Sequence, residues 1–215
     1  NVKRAKFQGV LGINIGKNAT TPIENAVDDY LTCLTKVYDH ASYITVNISS
    51  PNTKNLRALQ SEDELSKLLG TLKEEQARLQ QQRGRYVPMA VKIAPDLILE
   101  EIEAIAQFVT QVEMDGVIAT NTTIDKSSLG NHPLAGEAGG LSGLPVRAQS
   151  EYVLQHLVHA LKGKLPVIGV GGIVAGQDAA TKKRLGASAV QIYSGMIYQG
   201  PSLVADCVRE WVHTR

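Results

Sequence analysis

The sequence predicts an α/β fold, a (β/α)8 barrel with about six of the eight strand-helix units present in its 215 residues. Short, nearly uniformly apolar runs alternate with helical stretches, the pattern of a parallel sheet covered by helices. Each run ends in amides, hydroxyls, lysine or glycine, and in a parallel barrel such ends converge on the face where active sites lie. The last two runs end in Gly171-Gly172 and Tyr193-Ser194-Gly195, whereas barrel phosphate sites are often built by the loops after the seventh and eighth strands. A doubly wound open sheet also fits the alternation, but the glycine placement favours the barrel. On that reading two strands would precede Asn1. The missing initiator methionine and the helix-like run from Val2 to Gln8 agree with it.

In order, Gly9 to Gly16 reads as the first strand, closed by Asn14, Gly16, Lys17 and Asn18. Pro22 opens a helix to about His40, with Ala26, Tyr30, Leu34, Val37 and Ala41 at the spacing of a buried face. Tyr43 to Ile48 is the central strand, and it stops abruptly in Ser49-Ser50-Pro51-Asn52-Thr53. Buried amides and hydroxyls need partners, at a cost of roughly 1–3 kcal/mol each if left without them; a ligand could supply these, or the segment could be a plain turn. Ser61 to Glu64 forms a capping box for a helix ending at Gly84. Val87 to Ile93 is the third strand, with Lys92 near its end, and a helix follows from Leu97 to Val112. Gly116 to Thr120 is the fourth strand, opening into Asn121-Thr122 and a loop to Gly143 long enough to be a binding segment. Pro145 begins a helix to about Gly163, Val167 to Val170 is the fifth strand, and a helix runs from Gly176 to Leu185. Ala189 to Ile192 is the sixth strand, and one last helix carries Cys207 and Trp211.

Lys and Arg number 22 against 21 Asp and Glu, so no basic surface argues for nucleic acid. Cys33 and Cys207 lie far apart without C-x-x-C spacing and read as buried free thiols; no metal site is expected. No run approaches 18 apolar residues. Asn18, Asn47 and Asn121 open glycosylation triplets, read here as chance matches at strand ends.

The strand ends supply no pair of carboxylates, no cysteine and no histidine. Hydrolysis by an acid pair or a histidine base is therefore poorly supported. An amide-rich pocket with one lysine and phosphate-ready glycines suits a phosphorylated cofactor whose own ring does redox work. Lys92 would stabilise negative charge on it, and the asparagines would hold an imide or amide substrate.

The segments NIGKN (14–18), NISSPNT (47–53), VKIAPD (91–96), GVIATNTT (116–123), GGLSG (139–143), IGVGGI (168–173) and VQIYSG (190–195) closely resemble dihydroorotate dehydrogenase, class 2, the quinone-linked form. The matches run in order over essentially the whole chain. The resemblance implies an FMN enzyme on a TIM barrel that oxidises dihydroorotate to orotate in pyrimidine biosynthesis and passes electrons to ubiquinone or menaquinone. It implies Ser50 as the catalytic base; class 1 members carry cysteine there. It implies Asn47, Asn52, Asn121 and Thr122 as substrate-binding residues. It implies Asn14, Asn47, Lys92, Thr120, Gly143, Gly172, Tyr193 and Ser194 as FMN-binding residues. It further implies a peripheral place on the cytoplasmic side of a bacterial inner membrane, through an N-terminal helical segment that these residues do not include; this portion alone is expected to be soluble. A serine is a weak base and needs activation, for which Thr53 or a water chain is available. The alternatives are a related flavin barrel with another acceptor and a catalytically silent portion retaining part of the phosphate site.

Overall fold

The structure is a computed structural model that describes residues 2–5, 7–51, 53, 56–60 and 62–214. Six parallel strands, β1 (Gly12–Ile15), β2 (Tyr43–Asn47), β3 (Met89–Ile93), β4 (Gly116–Ala119), β5 (Val167–Val170) and β6 (Ala189–Gln191), lie side by side in chain order. A doubly wound sheet reverses its strand order at a switch point; this one never does, as a barrel wall requires. Among the described residues β1 and β6 do not pair, so the wall has two edges.

The helices are α1 (Val2–Ala5), α2 (Ala26–Val37), α3 (Glu62–Arg83), α4 (Leu99–Gln111), α5 (Arg147–Leu161), α6 (Gly176–Arg184), α7 (Ser194–Gln199) and α8 (Ser202–His213). Period-two alternation divides each strand between two environments. Ile44, Val46, Val91, Ile93 and Val117 pack with Tyr30, Leu34, Leu68, Ile102 and Leu157 in the large core between sheet and helices. The intervening Ala90, Ile118, Ile168 and Val170 form a small separate cluster on the opposite, concave face. Each large side chain buried in the outer layer contributes roughly 1.5–3 kcal/mol, so the helix-facing layer carries most of the stability.

Several boundaries differ from the sequence reading. The first strand shrinks to Gly12–Ile15, and Val10 is 78% exposed, because an edge strand has a neighbour on one side only. The third begins at Met89. The expected helix from Pro22 to His40 is α2 flanked by 3-10 turns at Ile23–Asn25 and Tyr38–His40, and Pro145 lies in a 3-10 turn ahead of α5. The expected single last helix is two, α7 and α8, parted by Gly200 at φ +75° and Pro201, which has no N–H to continue a helix. The capping box begins at Ser61, outside the described residues. The two cysteines are free, Cys33 in α2 and Cys207 in α8.

Candidate functional site

Sheet register sets the polar residues in rows. Asn47 pairs with Lys92, Lys92 with Ile118, and Ile118 with Ile168, so Asn47 and Lys92 share the concave face with the small apolar cluster. Thr120 lies two residues beyond Ile118 and continues that face into the loop. Asn14 pairs with Thr45, one row lower on the same face, and is exposed at the β1 edge.

A cleft of about 230 Å³ opens above the ends of β3 to β6. It brings together Lys92, Thr120, Asn121, Thr122, Gly143, Gly172, Tyr193 and Ser194, with Ser142, Gly171 and Gly195 among its other lining residues. Asn47 and Ser50 lie outside that lining; the Asn47 side chain reaches it through Asn121, whose Nδ2 donates to Asn47 Oδ1 at 3.2 Å. Asn14 is also outside it, and Asn52 falls outside the described residues.

The described polar groups at the end of the central strand find protein partners. Ser49, fully buried, donates from Oγ to the Lys92 carbonyl at 2.6 Å and accepts from Asn121 Nδ2 at 3.2 Å. The Asn121 Oδ1 accepts from the Thr122 N–H at 2.9 Å. Below them the Tyr30 hydroxyl donates to the Asn47 carbonyl at 2.5 Å. Burial pushes the Tyr30 phenol well above its ordinary pKa, which keeps the donor protonated.

The opposite end of the cleft is built from glycine. Gly171 and Gly172 take φ of +104° and +73°, and a Cβ on Gly172 would come within 2.6 Å of the Arg147 Cα. The Gly172 carbonyl accepts from Arg147 Nε at 3.0 Å, and Arg147 is held in turn by Asp178 at 2.8 Å. Ser142 and Ser194 join their hydroxyls at 2.8 Å, tying the long loop to this end. That loop folds back on itself by an antiparallel bridge between Thr123 and Leu141.

Lys92 is the group whose chemistry calls for a ligand. Desolvation lowers its pKa, and its Nζ has no hydrogen-bond partner among the described residues. A half-buried ammonium without an acceptor is costly, and an electron-rich ring or anion in the cleft would relieve that cost. Together with the glycine cradle this donor set fits a phosphorylated ring cofactor. Among the described residues no cluster of three or more His, Cys, Asp or Glu could hold a metal.

The family model for dihydroorotate dehydrogenase matches residues 1–214. The chain belongs to the dihydroorotate dehydrogenase family. It is 69% identical over 209 residues to a dihydroorotate dehydrogenase (quinone) of Neisseria meningitidis, covering 97% of this chain and 62% of that protein. With the one from Chromobacterium violaceum the identity is 63%, over 97% of this chain and 61% of the relative. The chain thus spans about three fifths of the length of these curated relatives. The crystal structure of an Eimeria tenella dihydroorotate dehydrogenase in complex with ferulenol superposes with a TM-score of 0.85 at 38% identity, covering 94% of this chain and 57% of that one. The six-stranded wall is accordingly part of the barrel seen in this dihydroorotate dehydrogenase.

Several residues that organise the cleft and its loops were not singled out as site residues from sequence. Ser49 looks like a turn residue beside Ser50, yet it joins three strand ends. Arg57 and Asp96 form an ion pair at 2.7 Å across 39 positions. Asp96 had a signal, a carboxylate directly after a strand end in the APD triplet; Arg57 had none. Lys17 is buried, its ammonium donating to the carbonyls of Asn18 and Thr21 at 2.8 and 2.5 Å, so it shapes the loop after β1.

Proposed function

We propose that this chain is the catalytic barrel portion of a quinone-linked dihydroorotate dehydrogenase that oxidises (S)-dihydroorotate to orotate with FMN. The observation that carries the proposal is the cleft itself: an ammonium without an acceptor among the described residues and a glycine cradle at one end, and hydrogen-bonded amides and hydroxyls at the other. FMN, when bound, supplies hydride acceptance from C6 of the substrate and electron delivery to a quinone.

The chain's own residues do the rest. Lys92, Thr120, Gly143, Gly172, Tyr193 and Ser194 hold the cofactor, with Asn14 and Asn47 reaching it from the β1 and β2 side. Asn47, Asn121 and Thr122, with Asn52, grip the amide and carboxylate groups of dihydroorotate by donor and acceptor pairs. Ser50 takes the C5 proton; Thr53, three residues on, is placed in sequence to relay it. Because Asn121 is held by Asn47 Oδ1 and by the Thr122 N–H, these two amides are preorganised for substrate. We place the intact protein peripherally at the cytoplasmic side of the inner membrane; among the described residues no helix is long and apolar enough to cross a membrane.

The test is the visible spectrum of the purified protein. A flavin band that bleaches on anaerobic addition of dihydroorotate and returns with a quinone analogue is expected. A flavin band indifferent to dihydroorotate would overturn the substrate assignment. That β1 and β6 do not pair among the described residues favours a second reading, in which these 215 residues by themselves hold only the phosphate end of the cofactor. That reading expects a colourless 215-residue protein and a yellow longer one containing it.

A further inference from the structure

Arg57 sits in the 3-10 turn Leu56–Gln60 that follows the Ser50 loop. Its guanidinium donates to three acceptors that come from three different strand ends. Nη1 donates to Asp96 Oδ2 at 2.7 Å, beyond β3. Nη2 donates to the Thr122 carbonyl at 3.0 Å, beyond β4, and Nε to the Ser49 carbonyl at 3.4 Å, beyond β2. Asp96 extends the link: its Oδ1 accepts from the Thr123 hydroxyl, and its Oδ2 also accepts from the Ile124 N–H at 3.4 Å. Both side chains are largely buried, 21% and 16% exposed.

Past the last paired residues of the strands, the Asn121 N–H donates to the Ile93 carbonyl at 2.8 Å and Ser49 Oγ to the Lys92 carbonyl at 2.6 Å. The guanidinium adds a tie that spans all three loops at once. Its planar fork points fixed donors at divergent acceptors, which a lysine cannot imitate. The two carbonyls it holds belong to Ser49, next to Ser50, and to Thr122, next to Asn121. The residues assigned to the substrate are thus tied to one rigid group that lies outside the cleft lining.

We propose that Arg57, fixed by Asp96, is a positioning residue that sets the distance between Ser50 and the Asn121-Thr122 pair, and so aligns the base with the substrate C5 proton. This rests on the functional reading above. Its consequence is selective: removing the fork loosens the alignment for dihydroorotate oxidation and leaves the half-reaction with quinone alone. A misplacement of about 1 Å can cost on the order of 100-fold in rate.

The experiment uses the full-length flavoprotein and its Arg57→Ala, Arg57→Lys and Asp96→Asn variants. Anaerobic stopped-flow mixing measures flavin reduction by dihydroorotate, a second mixing measures reoxidation by a quinone analogue, and calorimetry measures orotate binding. Arg57→Ala is expected to slow reduction about 10- to 100-fold and weaken orotate binding, while reoxidation stays within twofold. Arg57→Lys should not restore reduction, and guanidinium ion at low concentration should partly restore it in Arg57→Ala. Reduction within twofold of the parent, or reduction and reoxidation falling together with the folded fraction, would overturn the proposal. If the alanine variant does not fold, Asp96→Asn, which keeps size and an acceptor, decides by the same criteria. A parent protein that dihydroorotate does not reduce would instead sink the functional reading itself.

Discussion

Lys182 offers a quantitative test of how the cradle is supported. It lies in α6, its side chain is fully buried, and its Nζ donates to Ser150 Oγ at 2.8 Å. Ser150 Oγ in turn donates to the Gly171 carbonyl at 3.2 Å, so a buried ammonium sits directly beneath the glycine turn. Its stem fills the space beside Gly169, where a Cβ would come within 3.0 Å of the Lys182 Cδ. Desolvation lowers the Lys182 pKa from 10.5 to about 8; the carboxylates of Glu151 and Asp178 oppose that shift and Arg147 adds to it. A shift of that size corresponds to about 3 kcal/mol of unfavourable burial of the charged form. Below pH 8 both folded and unfolded states carry the proton and the full cost is present. Between pH 8 and 10.5 the unfolded state binds more protons than the folded one, so stability rises with pH across that window. Lys182→Met keeps the length and removes the charge. Allowing about 1 kcal/mol for the lost hydrogen bond, the variant should be about 2 kcal/mol more stable than the parent near pH 7. That advantage should cross zero between pH 8 and 10.5 and end with the parent the more stable by up to about 1 kcal/mol, the hydrogen bond alone remaining. Urea unfolding of both proteins at intervals from pH 7 to 10.5 measures it, and the difference cancels every group the two share. A difference that stays flat across the window would refute the assignment of a desolvated, titrating lysine.

Tyr30→Phe removes the donor to the Asn47 carbonyl at 2.5 Å and should destabilise the protein by about 1–2 kcal/mol in thermal or urea unfolding. A change within error would mean that the carbonyl finds another partner. Gly172→Ala puts a methyl against Arg147 at a positive φ and should cost more than about 2 kcal/mol; loss of flavin colour on purification would be its signature. Ser50→Cys should move the pH dependence of flavin reduction toward the thiol range near pH ~8.5. An unchanged profile would count against Ser50 as the base.

The barrel wall was legible because its signal is local. Each strand is a short apolar run with its polar end in the next few residues, and six such runs in order leave few topologies open. The cleft was legible for the same reason, since Lys92, Asn121, Gly172 and Ser194 each sit at a strand end and parallel strands carry their ends to one face. Arg57 and Lys182 escaped because their partners are distant in sequence. Arg57 meets Asp96 and Thr122 only once β2, β3 and β4 are in register, and Lys182 sits beside Lys183 and Arg184 in the last turn of its helix, with nothing in the sequence to mark it as the buried one. The division between α7 and α8 did have a signal, the Gly200-Pro201 pair. The β1 boundary had none, because whether Gly9 to Leu11 pair depends on a neighbour outside the run.

The division of labour between the two sheet faces explains how the wall tolerates so polar a site. Ile44, Val46, Val91 and Val117 face the helices and sit in the large core, whereas the concave cluster of described residues is only Ala90, Ile118 and Val170, with Ile168 against it. A polar substitution on the outer face would open a hole in that core, at a cost of about 2–5 kcal/mol. On the concave face the floor is thin, and the groups above it are already hydrogen-bonded: Asn47 to Asn121, Ser49 to Lys92, Arg57 to Asp96. Chemistry-bearing side chains can therefore change there without touching the layer that keeps the sheet folded. Lys92 belongs to this face, and it is the member whose charge is left for a ligand to answer.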